Sequence, residues 1–223
     1  MPTFAIIGAG AGLGLASARR FGREGFNVAL VSRTQNSLDE LVGKLSDEGV
    51  TARGYAANVH DLDALRGALD AAVADLDTIS ALQYSPIPSK RYLTPVLKTD
   101  AADLLDALEF SVIGLAAAIH HVLPGMREVG EGSILLVNGG SAVRTKPRFA
   151  GTSVAFAAES ALGEMLHAEL SVEGIQVRQL IVPGAIEQGH PNKNPAALAD
   201  ELWRLHTEPG EYRVFATSMD DDD

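Results

Sequence analysis

Between residues 4 and 17 the chain reads FAIIGAGAGLGLAS, an apolar run followed by glycines at positions 8, 10, 12 and 14. If this is a strand turning into a helix, the absent side chains let a phosphate approach the backbone closely. The free N–H groups and positive end of the following helix then favour an anion. The spacing that fits is G-x-x-x-G-x-G, carried by Gly8, Gly12 and Gly14, with Gly10 and Leu13 inside the turn. The commoner G-x-G-x-x-G fails, because the sixth residue counted from Gly8 is Leu13.

Other chemistries are excluded or weakly signalled. The chain has no cysteine, which removes disulfides, thiolate metal sites and a cysteine nucleophile. His120 and His121 are adjacent, so on a helix they point to different faces and cannot share a metal at i, i+4 spacing. His60, His167, His190 and His206 are scattered along the chain, and no metal site is expected.

The elements that would position the glycine turn alternate regularly. Apolar runs at 3–8, 27–32, 51–57, 78–84, 133–138, 176–182 and 211–217 are rich in Val, Ile and Leu without strict alternation, as expected of strands buried on both faces. Leu38, Leu41, Val42 and Leu45 fall at i, i+3, i+4, i+7 and mark one face of a helix. Asp61 is placed to cap the next helix, which carries Leu62, Leu65 and Leu69. Further helices are expected at about 100–128, 152–173 and 195–206, the last stopped by TEPG at 207–210. Strand–helix alternation repeated this often implies an α/β fold: a Rossmann-type, doubly wound, mainly parallel seven-stranded sheet with helices on both faces. It is read as a single domain of that kind over 1–219, with 220–223 an acidic tail expected to be disordered.

Composition narrows the partners. The formal net charge of −11 makes nucleic acid and anionic membranes poor partners. No basic region precedes the strand-like residues at Thr3, and apolar stretches such as VIGLAAAI (112–119) are too short to span a bilayer. A soluble, cytoplasmic protein is expected.

The glycine spacing at the head of such a chain resembles the short-chain dehydrogenase/reductase family. GIQVRQLIVPG (174–184) and LHAEL (166–170) also sit where that family has similar text. The resemblance implies a nicotinamide dinucleotide over the turn. After the second strand, VSRTQNS (31–37) has no acid for the ribose hydroxyls before Asp39 and offers Arg33 instead. A guanidinium matches phosphate oxygens, so NADP(H) is expected over NAD(H), with Ser32 and Thr34 as further donors. Asn58 and Val59 stand where the family reads the adenine, Asn58 replacing an acid by a neutral acceptor. The family's Asn-Asn-Ala-Gly is absent from ALQYSPIP (81–88), whose register stays open, and Tyr84, Ser85 and Pro86 are expected to line that edge of the cleft. Pro183 and Gly184 match the pair whose backbone contacts the nicotinamide end.

The family's proton chemistry uses a Tyr with a Lys four residues later, because a phenol of pKa near 10 needs a cation to work near neutrality. Laid on ILLVNGGSAVRTKPRFAGTSVAFAA (134–158), the serine position is Gly139, the tyrosine Thr152 and the lysine Phe156. The asparagine position is Ser111, and Gly114 matches a family glycine. All of these catalytic positions are changed, and no Tyr in the chain has a Lys four residues on. Catalytic residues are therefore unknown, with Tyr84 and Ser141 as weak candidates beside the basic loop residues Arg144, Lys146 and Arg148. Two readings follow. One is an NADP(H)-dependent oxidoreductase acting on a small carbonyl or alcohol without the usual residues. The other is a non-catalytic NADP(H)-binding sensor or partner subunit. The resemblance also implies a homodimer or homotetramer built on the long helices.

Overall fold

The computed structural model describes residues 1–222, without the side chains of residues 221 and 222. The chain runs β1 (Thr3–Ile7), α1 (Leu13–Arg23), β2 (Asn27–Ser32), α2 (Gln35–Asp47), β3 (Ala52–Ala56), α3 (Leu62–Leu76) and β4 (Ile79–Tyr84). It continues through α4 (Ala101–Leu108), α5 (Gly114–Val129), β5 (Gly132–Gly139), α6 (Ala150–Leu170), β6 (Ile175–Val182), α7 (Pro195–Thr207) and β7 (Arg213–Phe215). The seven strands pair in the order β3-β2-β1-β4-β5-β6-β7, every ladder parallel. The strand order reverses between β1 and β4, which opens a crevice at the C-terminal edge there.

Strand alternation divides the core into two layers. Ala5 and Ile7 of β1, with Ala29 and Val31 of β2, face α3, α5 and α6. Phe4, Ile6, Val28 and Leu30 face α1, α2 and α7. Both faces are thus covered, which is why the strand sequences are apolar without alternation. On the α1–α7 side Phe4 stacks on Phe21 with ring centroids 3.7 Å apart, and Trp203 meets Phe21 edge-on.

Local signals account for most boundaries. The Asp61 carboxylate accepts from the Ala64 N–H at 3.0 Å and starts α3, while Leu38, Leu41 and Leu45 are buried on α2. The expected helix at 100–128 is interrupted: α4 and α5 are joined by a π-helical turn, Glu109–Ile113. The expected last strand shrinks to Arg213–Phe215, and a single 3-10 turn follows at Met219–Asp222. Of the acidic tail expected at 220–223, Asp223 lies outside the described residues. Among the described residues no helix is long and apolar enough to cross a membrane.

Candidate functional site

The glycine turn sits at the crevice, and its glycines have different physical duties. Gly8 leaves β1 at φ +91°, where a Cβ would stand 2.4 Å from the Cα of Pro86, so both conformation and space demand glycine. The Gly8 and Ala9 N–H groups both bond to the Val31 carbonyl, at 2.9 and 3.0 Å, tying the turn to β2. A Cβ at Gly14 would lie 3.0 Å from the Ala9 Cα, which sets how closely α1 follows the turn. At Gly10 and Gly12 a Cβ would meet nothing within 4 Å. The open side of the turn therefore faces space that a ligand can enter. α1 has Gly12 as its cap, with no side-chain hydrogen bond and no acid in its first turn. Its positive end is left for an anion.

A cavity of about 580 Å³ adjoins this turn, lined by Gly8, Gly10, Ser32, Arg33, Asn58 and Val59. Pro86, packed against Gly8, also lines it, with Ser89, Lys90, Tyr92, Phe110 and His60. Ala9, Gly10, Ser32 and Arg33 also line a neighbouring groove with Thr34, Ser37, Glu40 and Lys44. The end of β2 thus offers one guanidinium, one ammonium and several hydroxyls around a common space, opposed by one carboxylate. That donor set suits a phosphoryl group beside a sugar. The cavity and turn fit the adenosine–diphosphate part of a dinucleotide. Ser37 and Lys44 are additions that the strand-end motif did not flag, because they project from α2 one helical turn and more beyond it.

Not every expected residue reaches this space. Gly12 lines a different groove, between α1 and α7, and Leu13 is packed in the core. Tyr84 is corrected from a cleft residue to a core residue: it is 1% exposed, and its hydroxyl donates to the Phe110 carbonyl at 2.5 Å. The hydroxyl reaches past Gly114, where a Cβ would lie 2.7 Å from it. Burial pushes the phenol well above its ordinary pKa, with the Glu159 charge adding to the rise. Tyr84 is therefore unsuited to proton transfer. Ser85 is half-buried and accepts from the Gln83 amide at 2.7 Å; the cavity wall is made by Pro86 instead.

The positions that align with the proton-transfer residues are occupied differently. Thr152 is buried, its hydroxyl 3.5 Å from the Tyr92 carbonyl. Phe156 packs with Ala142, Ile181 and Met219. Ser141 is buried in the turn after β5. Pro183 and Gly184 follow β6, Gly184 at φ +71°. The Pro183 carbonyl accepts from the buried Lys193 ammonium at 3.3 Å. Arg144 donates to the Met219 carbonyl, and Arg148 lies over the Phe149 ring.

Glu159 is the residue that sequence reasoning missed. It is buried on α6 and takes hydrogen bonds from Ser111 and, at 3.0 Å, from the Asn138 amide. Burial pushes its carboxyl up to about 7, with the two hydrogen bonds opposing the rise. Asn138 accepts from Gln179 at 2.8 Å, and Gln179 accepts from Ser160 and Arg213. This polar chain runs through the core between β5, β6 and α6. The fold also brings His60, read as isolated in sequence, within 3.8 and 3.9 Å of Asp106 and Glu109. Their ligand atoms all lie within 4.8 Å of one another, a trio that could hold a cation, and of the three only His60 lines the cavity.

Comparison with known proteins places this architecture. The family model described as short chain dehydrogenase matches residues 2–197. An uncharacterized oxidoreductase of Mycobacterium tuberculosis is 28% identical over 167 residues, covering 74% of this chain but 49% of that protein. The chain thus spans about half the length of its mycobacterial relatives. A short-chain dehydrogenase structure from Rhodopseudomonas palustris superposes with TM-score 0.84 at 23% identity, covering 96% of this chain and 97% of that one. L-sorbose reductase from Gluconobacter frateurii, solved with NADPH and L-sorbose, gives TM-score 0.85 at 19% identity, covering 98% and 97%. At such identities the two structures speak for the fold alone.

Proposed function

The chain belongs to the short-chain dehydrogenase family, and from that premise we propose that it is an NADP(H)-binding protein whose catalytic half does not carry the family's proton chemistry. One observation carries the reading: the cavity beside Gly8 and Gly10 opens onto the groove of Ser32, Arg33, Thr34, Ser37 and Lys44. The turn and the end of α1 receive the diphosphate, Asn58 and Val59 flank the adenine, and Arg33 takes the 2′-phosphate in a charge-assisted contact. NADP(H), when bound, supplies a hydride. What this chain supplies opposite it is a buried threonine and an apolar phenylalanine at positions 152 and 156, neither able to deliver a proton near neutral pH. A sensor or partner subunit is therefore favoured over turnover.

A second reading keeps the family's oxidoreductase activity on a small carbonyl or alcohol. It rests on Ser141, a residue of the turn just past β5 at the C-terminal edge of the sheet, where ligands of such folds lie. Calorimetric titration with NADPH and NADH tests the binding claim common to both. Tight NADPH binding is expected, with NADH weaker by about tenfold or more and the difference erased in Arg33→Ala. Absence of binding to either dinucleotide would overturn both readings. Cofactor oxidation with a carbonyl substrate, lost in Ser141→Ala, would favour the second.

A further inference from the structure

Resting on the NADP(H) reading, we propose that the Ser218–Asp220 segment occupies the second half of the dinucleotide site, so that this chain grips its ligand through the adenosine 2′,5′-bisphosphate portion alone. In a doubly wound sheet the two mononucleotide halves lie on either side of the switch in strand order. Here the switch is between β1 and β4. Gly8, Ser32, Arg33 and Asn58 line the cavity from the ends of β1–β3 and Pro86 lines it from just past β4, whereas no residue at the ends of β5 and β6 does. The other half would lie over the ends of β4, β5 and β6.

The β5–β6 part of that edge is covered by the chain itself. Beyond β7 the Ala216 N–H bonds to the Ile181 carbonyl at 2.9 Å, holding the segment against β6. The chain then turns, the Asp220 N–H bonding to the Ser218 hydroxyl at 3.2 Å. This sets Met219, half-buried, against Ala142, Phe156 and Ile181. Those three residues come from just past β5, from α6 and from the end of β6, the elements that would wall the second half-site. Arg144, in the loop between β5 and α6, donates to the Met219 carbonyl at 3.0 Å and pins the segment from the far side. The covered surface is apolar. A ribose or carboxamide placed there would have to displace a flexible thioether from a surface that offers it no hydrogen bond at Phe156. Half-burial of a methionine side chain is worth about tenfold in such a competition.

The test is calorimetric titration of the full chain, Met219→Ser and Arg144→Ala with adenosine 2′,5′-bisphosphate and with NADPH, each variant first checked for a cooperative thermal transition. The unaltered chain should bind the two ligands within about threefold of each other. Met219→Ser should tighten NADPH by about tenfold and leave the bisphosphate unchanged; Arg144→Ala should move NADPH in the same direction by less. If Met219→Ser fails to fold, Arg144→Ala decides. NADPH bound about thirtyfold or more tighter than the bisphosphate by the unaltered chain, with no gain in either variant, would overturn the proposal. Binding of neither ligand would overturn the NADP(H) reading beneath it.

Discussion

The two halves of the sheet's C-terminal edge have been built to opposite ends. On the β1–β3 side, glycines leave space, the first helix presents an uncapped positive end, and Arg33 faces a cavity. At the ends of β5 and β6, side chains pack on one another instead: Phe156 lies against Met219 and the buried Glu159 is held by Ser111 and Asn138, while at the end of β4 Tyr84 is sealed against Phe110. The first half spends its sequence on openness and positive charge, the second on burial. One fold can therefore vary the two ends of its edge separately, because what differs between them is side chains at the edge rather than the scaffold.

The sharpest way to break the first half is Gly8→Ala. Strain at φ +91° and a Cβ 2.4 Å from the Pro86 backbone together cost about 4 kcal/mol. Chemical denaturation should show that loss, and NADPH binding should vanish.

The second half should be most sensitive at Glu159. Its carboxyl is raised to about 7 in the folded chain from an ordinary 4.5. The folded state therefore holds a proton that the unfolded chain releases, so stability is highest below about pH 4.5 and falls as pH rises toward 7. The full penalty, on the order of 3 kcal/mol, is reached above that window. Glu159→Gln should flatten the slope and raise the melting temperature at pH 8, read by thermal unfolding at pH 5 and pH 8. An unchanged slope would mean that another group carries it.

Much of the first half was legible in the sequence, because its signals are local. Glycine spacing after an apolar run, Arg33 at a strand end and Asp61 before a helix each act within a few residues of where they stand. The second half is assembled from distant segments. Glu159 reads as one acid in an alanine-rich helix until Ser111 and Asn138 are brought to it from α5's approach and from β5. Tyr84 reads as a cleft residue because it ends a strand, yet alternation along β4 and the gap left by Gly114 send its ring into the core. The trio of His60, Asp106 and Glu109 was invisible for the same reason.

Two smaller effects would sharpen the contrast. Arg33→Ala should weaken NADPH by about thirtyfold, roughly 2 kcal/mol for a charge-assisted contact, and leave NADH unchanged. Lys44→Ala, at the solvent side of the same groove, should weaken NADPH by only about threefold, an effect that fades in high salt. Both are read by the same titration. Equal losses for NADPH and NADH would assign these cations to the diphosphate instead.

Backbone hydrogen exchange with and without saturating NADP+ tests the difference between the two halves most directly. Slowed exchange is expected at Gly8–Gly14, at Ser32–Thr34 and at Asn58–Val59, with Gly139–Ala142, Thr152–Phe156 and Gly184 unchanged. Equal protection of both sets, or protection confined to the second, would contradict it.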